Sequence, residues 1–146
     1  KDQYIYILII IIKKGKIMTN KELYKIAYNH INHIDLKQFG TAGHVACALE
    51  SKEGNIFTGI CIDLPCSIGL GAEQSAIAEM IKNNETVINK IIAVYEDGSI
   101  LPPCGRCREF ISQIDNKNIE TIIVLPELEE VLLKDLLPES WDYKWN

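Results

Sequence analysis

Two cysteines, Cys104 and Cys107, have a spacing that suits metal or redox chemistry. They follow Pro102-Pro103 and begin a predicted helix, and a helix amino terminus lowers thiol pKa values because its dipole and free N–H groups favour the thiolate. Two thiolates at Cys-x-x-Cys spacing can hold one zinc ion. The same pair is also compatible with a thiol redox protein, so the spacing leaves both interpretations open.

A second candidate is Glu73, in the segment Gly71-Ala72-Glu73 at the start of another predicted helix. A carboxylate in a cleft can accept and donate protons during catalysis. The alternative is an exposed first-turn glutamate that only stabilises the helix dipole. The residue type therefore permits a catalytic role without requiring one.

Composition limits the partners that the chain can have. Its 146 residues, 47% hydrophobic, predict one domain with a real core. Lys and Arg number 15 against 20 Asp and Glu, for a net charge of −5, and only two residues are arginines. We therefore expect no nucleic-acid or membrane-surface footprint, since phosphate binding needs a basic face. Five cysteines in no regular framework predict reduced thiols and a cytoplasmic location.

Residues 1–17 are expected to stand apart from the domain formed by residues 18–146. The apolar run from Tyr4 to Ile12 is shorter than the roughly 20 residues of a membrane span. Basic residues follow this run, which is the wrong charge order for a signal peptide. The Lys13-Lys14-Gly15 codons must read AAR-AAR-GGN, a ribosome-binding type of sequence shortly before Met18. We predict a non-native or disordered leader, with an ordinary extra strand or tail as the alternative.

Helical and strand-like patterns alternate from Thr19 onward. Thr19 with Glu22 predicts a capped helix start, and apolar residues then recur at helical spacing from Leu23 to Ile34. This alternation predicts an α/β fold, one sheet with helices packed on its faces. Strands are expected at 45–49, 56–62, 87–95, 121–125 and 130–133. After the first helix, further helices are expected at 72–82, 104–114 and 134–137.

The glutamate helix and the Pro-Cys-x-x-Cys helix together resemble the cytidine deaminase superfamily. Ala72-Glu73-Gln74-Ser75-Ala76-Ile77 is similar to its first active-site helix, and Pro103-Cys104-Gly105-Arg106-Cys107-Arg108-Glu109 to its second. The resemblance covers nearly all of the chain after Met18 and fits the small free-nucleoside type, which includes blasticidin S deaminases. It implies a three-layer α/β/α sandwich with a mixed sheet of about five strands. It also implies one zinc ion per chain and, usually, a homotetramer.

The resemblance also implies a role for individual residues. Glu73 would be the proton shuttle, and Cys104 and Cys107 would be zinc ligands. Arg108 would hydrogen-bond a metal-bound sulfur and temper its charge. The implied reaction is hydrolytic: a zinc-activated water attacks C4 of a cytosine ring and ammonia leaves.

The pattern departs from the family at Gly71, where the third zinc ligand, a Cys or His, is expected. Catalytic zinc normally has three protein ligands and a water. Three explanations stay open. The protein is a catalytically inactive binding protein on the same fold, or a nearby donor substitutes, with Cys66, Cys61 and His44 as candidates, or Gly71 is a recent or engineered change.

The substrate-binding segment departs as well. The family carries an Asn-x-Glu-Asn-like stretch that binds ribose, and the matching stretch here is Cys61-Ile62-Asp63-Leu64. Asp63 can still accept a ribose hydroxyl, and Ala72 is a further substrate-binding candidate. In the family an aromatic residue flanks the base of the substrate. The matching position here is Gly43, so Phe39 is a candidate replacement. The expected substrate is therefore a small molecule of cytosine type: cytidine, deoxycytidine or a blasticidin-like analogue.

Overall fold

The computed structural model describes residues 17–141, so the predicted leader lies almost wholly outside the described residues. The chain alternates helices and strands around one sheet. The helices are α1 (Asn20–Tyr28), α2 (Ala72–Lys82), α3 (Gly105–Ile114) and α4 (Leu133–Leu136). The strands are β1 (Ile34–Asp35), β2 (Thr41–Ser51), β3 (Ile56–Asp63), β4 (Ile88–Tyr95), β5 (Ile100–Leu101), β6 (Ile122–Val124) and β7 (Glu130–Leu132).

The sheet is mixed, as predicted. Strand β2 pairs antiparallel with β1, β3 and β4, while β4 pairs antiparallel with β5 and parallel with β6, which in turn pairs antiparallel with β7. The sheet has seven strands within residues 17–141, where about five were expected. The two additional ones, β1 and β5, are only two residues long.

Two apolar cores, one on each face of the sheet, make the three layers. Successive side chains of a strand point to opposite faces, and β2 shows this directly. Cys47 and Leu49 belong to the core beneath α2 and α3, whereas Ala48 belongs to the core beneath α1. The α/β sandwich expected from the sequence is therefore present.

Helix α1 begins as predicted but ends earlier. Thr19 Oγ1 accepts the Glu22 N–H at 3.3 Å and Glu22 Oε2 accepts the Thr19 N–H at 3.0 Å, which forms the expected capping box. The helix ends at Tyr28, although the apolar spacing continued to Ile34. Ile34 instead pairs with Ala42 of β2. No helix within residues 17–141 combines the length and apolar character needed to cross a bilayer.

Candidate active site

The amino termini of α2 and α3 meet at a cavity of about 380 Å³. Gly71 is the N-cap residue of α2 and Cys104 is the N-cap residue of α3. Both residues line the cavity, together with Glu73 and Cys107. The two segments singled out in the sequence are thus brought together.

Glu73 and Cys107 are in contact inside this cavity. Both are buried, with 8% and 3% of their surface exposed, whereas Cys104 is exposed. The Glu73 carboxylate and the Cys104 thiol both lie close enough to the Cys107 thiol to interact with it. Burial, followed by the nearby negative charges of Glu73 and Cys104, raises the pKa of Cys107 well above its ordinary value. A bound cation would lower the pKa of Cys107 instead, because a thiol that coordinates a metal is deprotonated.

The third ligand position of the family contributes no donor here. Gly71 has no side chain, and its φ of −69° and ψ of 151° are accessible to any residue. A β-carbon at this position would lie 3.1 Å from Cys107 Sγ and 3.5 Å from Glu73 Oε2. Cys104 and Cys107 therefore fit two of the zinc ligands that the resemblance implies, and position 71 does not supply the third.

Close packing between β3 and α2 places Glu73 at the cavity. A β-carbon on Gly59 of β3 would lie 2.3 Å from the backbone nitrogen of Ala76, so only glycine permits this approach. The loop before α2 is paired back to β3, where Ile62 and Leu70 exchange two backbone hydrogen bonds of 2.8 Å.

The other predicted site residues fall in two places. Asp63 and Ala72 line the cavity. Phe39, which is 75% exposed, and Cys66 line a separate surface groove instead, together with Leu36 and Ile68. The structure thus brings Asp63 and Ala72 to the cavity that the two thiols line, and places Cys66 outside that lining. A substrate role for Phe39 and a ligand role for Cys66 remain predictions.

Arg108 contacts backbone carbonyls on two sides of α3. Its Nε donates to the carbonyl of Pro103 at 2.7 Å, and its Nη1 donates to the carbonyl of Leu136 at 3.0 Å. The guanidinium thereby holds the residue that precedes Cys104 and ties it to α4. A hydrogen bond to a metal-bound sulfur remains a prediction.

His44, Cys61 and Asp63 form a further polar group in the cavity, and the sequence predicts it only in part. His44 Nε2 lies 2.9 Å from Asp63 Oδ2, and Cys61 lies beside them. The sequence named these residues separately, and only the pairing of β2 with β3 brings them together. In the sequence, the feature that indicates this cluster is the pair Gly43-His44 ahead of an apolar strand.

The chain is similar to known deaminases. Residues 18–124 match the family model described as the cytidine and deoxycytidylate deaminase zinc-binding region. A cytidine deaminase of Photobacterium profundum is 34% identical over 101 residues, which cover 66% of this chain and 32% of that protein. One of Shewanella pealeana is 33% identical over 102 residues, 67% of this chain and 32% of that protein. The chain thus spans about a third of the length of the curated relatives it matches.

Solved structures show the same fold. The crystal structure of cytidine deaminase from Mycobacterium leprae superposes with a TM-score of 0.70 at 23% identity, covering 84% of this chain and all of that chain. The crystal structure of cytidine deaminase from Burkholderia pseudomallei superposes with a TM-score of 0.69 at 21% identity, covering 85% of this chain and all of the other.

Proposed function

The chain belongs to the family of the cytidine and deoxycytidylate deaminase zinc-binding region, and on that premise we propose that it is a hydrolytic deaminase. Its substrate in this proposal is a cytosine-type nucleoside: cytidine, deoxycytidine or a blasticidin-like analogue. The observation that carries the proposal is the contact between Glu73 and Cys107 inside the cavity. A buried carboxylate beside a thiol pair is what proton transfer next to a metal requires.

In this proposal Glu73 moves the protons of the reaction. It takes one proton from the attacking water and delivers it to ring nitrogen N3, and it then carries the second water proton, from the hydroxyl now on C4, to the exocyclic amine. The new C4–O bond forms, the C4–N bond breaks, and ammonia leaves. Burial of Glu73, at 8% exposed, keeps bulk water from competing for these protons.

Cys104 and Cys107 would hold the zinc ion. When bound, zinc lowers the pKa of water and so supplies the nucleophile. Cys107, buried and in contact with Glu73, would hold the ion next to the carboxylate. Asp63 and Ala72 line the same cavity and are the proposed substrate contacts.

The second candidate is a catalytically inactive binding protein on the deaminase fold. The observation that favours it is Gly71, which leaves two thiols where three protein ligands are usual. This candidate predicts no turnover of any cytosine compound by the unaltered chain.

The test is an ammonia-release assay with cytidine, deoxycytidine and blasticidin S. Glu73→Gln should lower kcat by at least ~100-fold, the usual contribution of a positioned general acid–base group. The matched control is Glu53→Gln, since Glu53 is exposed in the turn between β2 and β3. Full activity in Glu73→Gln would refute the assignment. No turnover by the unaltered chain, with turnover in Gly71→Cys, would favour the inactive protein.

A cytoplasmic location and a homotetrameric assembly complete the proposal. Both are supported by the resemblance to small free-nucleoside deaminases. Sedimentation velocity on the purified chain tests the assembly, and a monomer at micromolar concentration would contradict it.

A further inference from the structure

The side chains of His44, Cys61 and Asp63 form a compact cluster in the wall of the cavity. One ligand atom from each residue lies within 4.8 Å of the other two. We propose that these three residues bind a divalent transition metal of the zinc class, separately from Cys104 and Cys107. This proposal does not depend on the proposed deaminase activity, and it gives Asp63 a metal ligand's role in place of the substrate contact proposed above.

A bulge in β2 builds the cluster. Ala42 is opposite Ile62 and Ala46 is opposite Ile60, so three residues of β2 face the single residue Cys61 of β3. Such bulges redirect side chains. Gly43 makes the bulge possible, because its φ is +78° and a β-carbon there would lie 2.0 Å from the Asn32 carbonyl oxygen.

Cys61 sits at the buried end of the cluster. It is 5% exposed, and its sulfur accepts the backbone N–H of Val45 at 3.3 Å. Burial raises the pKa of the Cys61 thiol, and the Val45 N–H opposes this shift by favouring the thiolate, which is the form that binds metal. The bulge therefore supplies both the neighbouring imidazole and a donor to the sulfur.

His44 and Asp63 supply the remaining two donors. Their Nε2 and Oδ2 atoms are 2.9 Å apart, and Asp63 has 59% of its side chain exposed, which leaves a path for an ion. His44 Nδ1 is buried and has no hydrogen-bond partner among residues 17–141. Ligands of a tetrahedral zinc ion lie about 3.3–3.6 Å apart, so replacing the His44–Asp63 hydrogen bond with an ion needs a shift of less than ~1 Å.

The donor set identifies the class of ion. One imidazole nitrogen, one thiol sulfur and one carboxylate oxygen suit zinc or cobalt, and three protein ligands leave a fourth position open. Magnesium and calcium prefer oxygen donors throughout, so the sulfur of Cys61 disfavours them.

Cobalt(II) titration of the full chain tests the site, because each Co–thiolate bond adds ultraviolet charge-transfer absorption. The starting protein carries Cys104→Ser and Cys107→Ser, which removes the other proposed ligands. We expect it to bind one cobalt ion with the absorption of a single thiolate bond. Adding Cys61→Ser should abolish this band, and adding Cys66→Ser, at an exposed cysteine outside the cluster, should preserve it.

Asp63→Asn is a variant that should retain the fold, since this side chain is exposed. It should weaken cobalt binding by about tenfold or more, since even the loss of a group that only orients a metal ligand costs roughly 10–100-fold in affinity. An unchanged cobalt affinity in Asp63→Asn overturns the proposal, and so does a missing band in the double-serine protein or a band that survives Cys61→Ser. Full deamination activity in Glu73→Gln with the cobalt band intact would refute the deaminase assignment and leave this site standing, so the two proposals fail separately.

Discussion

A β-carbon built on Gly71 would lie 3.1 Å from the sulfur of Cys107. The backbone at Gly71 has ordinary dihedral angles, so a side chain introduces no backbone strain. Gly71→Cys should therefore place a third sulfur beside Cys107 with only a small adjustment of the neighbouring thiol. We expect a gain of about one zinc ion per chain over the unaltered protein, measured by elemental analysis after purification without chelator.

Gly71→Ala is the matched control, because it adds the same β-carbon without a sulfur. Its zinc content should equal that of the unaltered chain. Equal zinc in Gly71→Cys and Gly71→Ala would mean that position 71 does not face the metal, which would remove the proposed ligand geometry.

The elements that local signals define were predictable from the sequence. Helix α2 has the predicted bounds, Ala72–Lys82, because its apolar spacing and its starting glycine are local features. Helix α1 was predicted too long: Ile34 continues the helical spacing but pairs with Ala42 of β2, which lies in a different part of the chain. Apolar spacing carries no information about such a pairing.

The same division applies to the candidate site. Glu73 and Cys107 could be named from the sequence because each occupies the first turn of its helix. The cluster of His44 with Cys61 and Asp63 could not, because it depends on a bulge in the pairing of two strands. The spacing of these three residues does not indicate the bulge, and the one sequence feature that does is Gly43.

Gly59→Ala should destabilise the fold by about 1–3 kcal/mol, as overpacking of a filled interior does. The added β-carbon would lie 2.3 Å from the nitrogen of Ala76 and 2.6 Å from the oxygen of Ala72, and both are backbone atoms of α2. The helix must therefore move away from β3. Urea unfolding measures the effect. The control is Gly105→Ala, where a β-carbon meets nothing within 4 Å, and equal stability of the two variants would contradict the packing argument.

Asn118→Ala should also destabilise the chain, through lost hydrogen bonds. The fully buried Asn118 accepts the Ile88 N–H at 2.8 Å and donates to the carbonyls of Thr86 at 3.0 Å and Ile111 at 3.2 Å. Removing it leaves a buried N–H unpaired, which costs about 1–3 kcal/mol. Thermal unfolding beside Asn116→Ala, an exposed neighbour, checks this. Equal unfolding temperatures of Asn118→Ala and Asn116→Ala would show that another group accepts the Ile88 N–H in place of Asn118.

The ion pair between Glu130 and Lys90 should make stability depend on pH. Lys90 Nζ lies 2.8 Å from Glu130 Oε1, and the lysine side chain is only 7% exposed. The hydrogen bond from Lys90 holds the pKa of Glu130 below its ordinary value of 4.5. Because the folded pKa is lower than the unfolded one, this contribution is present above about pH 4.5 and is lost as the pH falls through the folded value.

Glu130→Gln tests this through the free energy of unfolding in urea at pH 7 and at pH 3. The variant should be less stable than the unaltered chain at pH 7, and the gap should shrink at pH 3, where the native carboxylate becomes protonated. Glu53→Gln, in the exposed turn, controls for the loss of a carboxylate as such. A gap of the same size at both pH values would show that Glu130 stabilises the chain by packing alone, without the charge of Lys90.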